Sequence, residues 1–84
     1  MQYLVVIEKA DTNYAAYVPD LPGCVSTGDT IEETIGNIRD AIVFHLQSMV
    51  RDHDPIPPQY TVLATSVEVP DFVAAAARDP AQVA

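Results

Sequence analysis

The sequence predicts one α+β domain: three antiparallel strands, one long helix, then a fourth strand, in a sheet of order 3-2-1-4 with the helix on one face. Three observations carry the prediction. Two short apolar runs, Tyr14–Val18 and Cys24–Thr27, flank the rigid link Pro19-Asp20-Leu21-Pro22-Gly23. Each proline fixes φ and lacks an N–H, so the link cannot continue a ladder, and Gly23 is free to take a positive φ. This reads as strand, corner, strand. A capping signal at Thr30 then opens a stretch with apolar residues at helical spacing. Ahead of both stands Tyr3–Glu8, YLVVIE, β-branched and aromatic as a strand requires.

Along Tyr3–Glu8, Tyr3, Val5 and Ile7 share one face, and Leu4 and Val6 the other. Both faces are apolar: one can meet this chain's helix, the other a second subunit or a partner. Lys9–Asn13 has hairpin length, so Tyr14–Val18 returns antiparallel, Cys24–Thr27 forms a shorter third strand, and Gly28-Asp29 breaks it. Thr30-Ile31-Glu32-Glu33 is a capping box, in which Thr30 accepts from the Glu33 N–H and Glu33 reaches back. Its two glutamates also suit the positive end of the helix dipole. Ile31, Ile35, Ile38, Ile42, Leu46 and Met49 make one stripe on one helix face. The helix is expected to run to about Asp52, because Pro55 forbids continuation. Phe44 misses the stripe, and either packs under the following loop or marks a contact surface. Asp54–Gln59, with three prolines, reads as a stiff loop. Ser66–Val69 is expected as the last strand, parallel to the first after a right-handed crossover. The domain is placed at residues 1–71, and residues 72–84 are expected to be a loosely held tail.

Length and charge bound the function. Eighty-four residues make one domain whose single core gives marginal stability, for which self-association is a common remedy. Twelve acids against four basic residues give a net charge of −8. Such a chain is repelled by nucleic acid and by anionic membranes and suits a basic partner. Cys24 is the one cysteine, so no internal disulfide is possible, and a reducing cytoplasm fits. The apolar Leu4–Ile7 run is too short for a signal peptide, and no stretch reaches the roughly 18 apolar residues of a membrane span.

The chain offers little for catalysis. His45 and His53 are eight apart, not at the i, i+4 spacing of a zinc pair; His45 reads as a core-edge residue and His53 as a solvated helix end. Cys24 has no basic neighbour in sequence to activate it and reads as a small core residue. The acids are dispersed, and the three glycines form no phosphate loop. No cofactor, metal or enzymatic activity is expected.

The compound pattern of Tyr14, then Pro19, Asp20, Leu21, Pro22, Gly23 and Cys24, then Gly28, Thr30 and Glu33 at an acidic helix start resembles the HicB-like antitoxin family over roughly residues 1–52. That resemblance implies a partial ribonuclease-H-like fold lacking the catalytic acids. It also implies a binding function: neutralising a small basic ribonuclease toxin, HicA, by covering its active site. Many members add a C-terminal DNA-binding domain. The dozen residues after Phe72 hold one basic residue, Arg78, and are not expected to build one. The expected partner-binding residues are Asp20, Glu32, Glu33 and Asp40, with Phe44 as an apolar anchor. A solitary structural or regulatory homodimer without a toxin is the alternative, and a hydrolase acting through Cys24 or acid-held metal the least favoured reading.

Overall fold

The computed structural model describes residues 1–72, so most of the expected tail lies outside the described residues. Three strands, β1 (Val6–Lys9), β2 (Tyr14–Tyr17) and β3 (Val25–Gly28), precede one helix, α1 (Ile31–Arg51). The sheet is antiparallel with order β1-β2-β3. Val6 pairs with Tyr17 and Lys9 with Tyr14 across the first hairpin. Tyr14 pairs with Gly28 and Tyr17 with Val25 across the second. The Lys9–Asn13 turn is closed by Ala10 N–H donating to the Asn13 carbonyl at 2.8 Å.

β1 is shorter than YLVVIE suggested because its partner ends first. Val18 leaves β2 to close the proline corner, donating its N–H to the Cys24 carbonyl at 3.2 Å. Within the corner, Leu21 N–H donates to Val18 O and Cys24 N–H to Leu21 O, each at 3.1 Å. Gly23 takes φ +82°, the left-handed region that its lack of Cβ permits. This compact turn drives Leu21 inward, where it is 0% exposed and joins Ala16, Val18, Cys24 and Ile38 in the core.

Thr30 caps α1 as its sequence promised, accepting from Glu33 N–H at 3.1 Å. The helix then sits rotated from the expected stripe. Its fully buried positions are Thr34 and Ile38, with Ala41, Ile42 and Leu46 packed beside them. Ile31 and Ile35 are about half exposed. Thr34 is tolerated in the core because its hydroxyl donates to Thr30 O at 2.7 Å, leaving no orphaned polar atom. The small Thr34 also lets the helix start press against β3. A Cβ on Gly28 would lie 2.5 Å from Thr34 Oγ1 and 2.7 Å from its backbone N. Gly28 therefore belongs to β3 and to a helix–strand close approach, not to a strand-ending turn.

The helix stops through its own geometry before Pro55 is reached. Asp54 N–H donates to Met49 O at 2.8 Å and His53 N–H to Val50 O at 3.2 Å, with His53 at φ +58°. This is the paired 6→1 and 5→2 closure in which glycine usually holds the left-handed position. His53→Gly is expected to raise stability by about 1 kcal/mol by removing that Cβ strain, read as a shift of the urea midpoint at constant slope.

The fourth strand and the order 3-2-1-4 are not formed. Residues 54–70 carry no regular structure, and Ser66–Val69 is exposed and unpaired. The segment leading to it is tied to the rest of the chain at two points. Pro57 O accepts from the Tyr3 hydroxyl, and Thr61 is tied to the proline corner by Asp20. These ties bring the chain to the N-terminal end of β1 and leave a cleft of about 670 Å³ between residues 1–4 and 59–62. A ladder would need backbones about 4.8 Å apart.

Candidate interaction surfaces

Helix phase sorts the expected contact residues. Glu33, Asp40 and Phe44 are separated by seven and four positions, so they lie on one side of α1, facing away from the sheet. All three are exposed. Phe44 is 71% exposed, so it does not pack under the following loop and its ring is offered to solvent. Glu32, also exposed, lies a quarter-turn or more from that strip, on the flank shared with Ile35, Arg39 and Val43. The resulting surface has carboxylates along the solvent side of a rigid helix with one large apolar side chain among them. It has the chemistry to attract cations and anchor an aromatic contact.

Asp20 serves another purpose. One carboxylate oxygen accepts Thr61 N–H and the other Thr61 Oγ1–H, both at 2.9 Å. Its charge is spent on holding the segment after the helix to the corner before β3. Asp20 thus acts as a structural clamp. Nothing in the local pattern around Thr61 announces this contact, which spans forty-one residues. Thr34, four residues after the cap Thr30, had a legible cue in that spacing but no apolar character to mark it as core.

A second surface is apolar. Tyr3, Val5 and Ile7 project from the β1 side towards Ile35, Ile42 and Leu46 on α1, and between them runs an open groove of about 550 Å³. It exists because α1 packs over β3 and β2 and leaves the β1 side largely uncovered. Arg39 stands on its lining as the one charged side chain. On the opposite sheet face, Val6, Tyr17 and Val25 form a row across the three strands, with Tyr17 and Val25 exposed.

The reactive side chains remain apart. Cys24 is buried among core residues, and burial pushes its thiol pKa above the ordinary value, against thiolate formation. His45 is half-buried at the core edge, while His53 is exposed at the helix end. Among the described residues, no three His, Cys, Asp or Glu side chains converge as metal ligands. No helix among them is long and apolar enough to cross a membrane.

Residues 3–78 match the HicB-like antitoxin of bacterial toxin-antitoxin systems. The chain belongs to this family. Among its relatives, an antitoxin HicB 2 of Photorhabdus laumondii is 36% identical over 89% of this chain and 54% of its own length. A UPF0150 protein of Synechocystis is 45% identical over 68% of this chain and 73% of its own. A 14.9 kDa protein from the rep-hol intergenic region of Haemophilus phage HP1 is 44% identical over 68% of this chain. The match spans only 43% of that phage protein, so this HicB-like chain corresponds to less than half of it. In three dimensions the chain resembles a HicA3 and HicB3 toxin-antitoxin complex, with TM-score 0.62 and 27% identity over 70% of each chain. It also resembles the crystal structure of the N-terminal domain of Burkholderia pseudomallei antitoxin HicB, with TM-score 0.63 and 26% identity over 99% of this chain and 86% of that one. The α+β architecture of three antiparallel strands and one helix is thus that of a HicB N-terminal domain.

Proposed function

We propose that this chain is an antitoxin that neutralises a small basic ribonuclease of the HicA type by covering its active site, and that it does so without catalysis of its own. Membership of a toxin-antitoxin family and the likeness to a chain of a toxin-antitoxin complex support this reading. The observation that carries it to particular residues is the outward strip of α1, where Phe44 stands exposed beside Glu33 and Asp40. An acidic helix face steers a basic partner into encounter, and a desolvated aromatic ring fixes the complex once formed. With a net charge of −8, the chain offers no attraction for the toxin's RNA substrate, so protein–protein contact is the economical route to inhibition.

The test begins with the tagged full chain exposed to extract of its native cell at low salt. Expected is recovery of one small basic protein whose ribonuclease activity the wild-type chain suppresses. Binding should weaken steeply between roughly 50 and 300 mM salt. Asp40→Lys combined with Phe44→Ala should lose at least about tenfold in affinity, the loss of one hot-spot contact, with an unchanged melting temperature. A ribonuclease inhibited equally well by that variant would remove the α1 strip from the interface. Recovery of no basic protein would set aside the antitoxin reading in favour of a solitary homodimer.

A further inference from the structure

The outer edge of β3 carries a side-chain contact that neither the core nor the α1 strip explains. Val18 N–H donates to Cys24 O, so the pairs that follow at intervals of two in the same register, Ala16–Ser26 and Tyr14–Gly28, exchange ladder bonds. The intervening pairs, Tyr17–Val25 and Ala15–Thr27, do not, and the N–H and C=O of Val25 and Thr27 point away from β2. The first hairpin agrees. Ala10 N–H donates to Asn13 O, which turns Ala15 and Tyr17 of β2 towards β1. β3 has no neighbour on its far side, so Val25 and Thr27 present the backbone groups that an incoming strand would bond. One of them is already taken: Asn37 Nδ2 donates to Thr27 O at 2.8 Å.

We propose that Asn37 guards this edge: its side-chain amide sits where the N–H of an incoming strand would bond Thr27, and it keeps a second copy of this chain from adding its own β3 there. The helix is placed for the task. The close approach of Thr34 to Gly28 sets the start of α1 against the end of β3, and Asn37 stands on the same side of the helix three residues on. Neither helix stability nor burial accounts for the residue. Asparagine is among the poorer helix formers, and Asn37 and Thr27 are both exposed, so water would satisfy each of them unaided. The edge also has an apolar inducement to pair. Val25 is 64% exposed at the end of the Val6–Tyr17–Val25 row, which a further strand would extend. A second copy is the occupant excluded, because β3 edges of two copies run antiparallel about a twofold axis and match each other group for group. Short edge strands and blocked edge groups are the means by which sheets avoid such growth. The proposal does not rest on the toxin reading.

Asn37→Ala in the full chain tests it. In the wild-type chain the Asn37 side-chain amide should exchange its hydrogens about fivefold more slowly than that of Gln47, exposed on the same helix, which is the protection one hydrogen bond supplies. Asn37→Ala should keep the melting transition. By sedimentation equilibrium at roughly 0.5 mM its mass should be about twice that of the wild-type chain at the same concentration, the result of one further twofold contact. Adding Val25→Pro should return the mass to the wild-type value, because the Val25 N–H makes no bond to β2 and proline denies it to an incoming strand. Equal exchange at Asn37 and Gln47, an unchanged mass in Asn37→Ala, or a doubled mass that survives Val25→Pro would each overturn the proposal. Loss of the melting transition in Asn37→Ala would overturn it too, by assigning the amide to the fold and not to the edge.

Discussion

Ile38→Asp is expected to abolish cooperative unfolding, leaving a chain whose near-ultraviolet signal is flat from the lowest urea concentration. Ile38 is 1% exposed and packs with Leu21, the other end of the core. Substitution removes an aliphatic side chain worth about 2–5 kcal/mol in such a site and buries a carboxylate with no partner, costing several kcal/mol more. A domain of this size holds only about 5–10 kcal/mol in total. Ile31→Asp supplies the comparison. Ile31 belongs to the same sequence stripe but is 48% exposed at the helix start, where a negative charge also faces the positive end of the dipole. It is expected to cost less than about 1 kcal/mol. Equal damage from both substitutions would show that the helix is rotated differently from the structure described.

The second large effect comes from one substitution made at two glycines. Gly28→Ala is expected to destabilise by about 1–3 kcal/mol, because the new methyl meets the Thr34 backbone nitrogen at 2.7 Å and a backbone cannot step aside as a flexible side chain would. Gly36→Ala is expected to stabilise by about 0.5–1 kcal/mol. Gly36 is exposed in the helix interior with nothing within 4 Å of the added Cβ, so only the gain in helix propensity remains. Paired urea midpoints measure both. Two shifts of the same sign would mean that α1 does not press on β3 at Thr34.

Local chemistry was legible wherever a residue's neighbours in sequence are also its neighbours in space. The Pro19–Gly23 corner, the positive φ of Gly23 and the Thr30 cap are of this kind, each settled within about five residues. The helix phase was legible only approximately. Six apolar positions define a stripe, but the buried line runs through Thr34 and Ala41, which hydrophobic patterning ranks below isoleucine. Among the expected contact residues, Glu33, Asp40 and Phe44 stay together because helical spacing alone unites them. The Asp20 clamp was not legible, because Thr61 is brought to it by the fold.

What the sequence determined by itself was therefore the α+β class, the elements from β1 to α1 and their antiparallel order, the net negative charge, and the compound signature of the family. Those features follow from torsional preference, short-range hydrogen bonding and net charge, all of which act locally or as a sum over the chain. The tertiary structure alone decided which half of the helix stripe is covered, that Asp20 clamps Thr61, that Gly28 is demanded by Thr34, and that the Ser66–Val69 strand does not form in the single chain. These depend on where segments forty residues apart come to rest. A strand pattern states a capacity to pair, but the partner edge must also lie within hydrogen-bonding distance, and residues 54–70 join no ladder in the structure described.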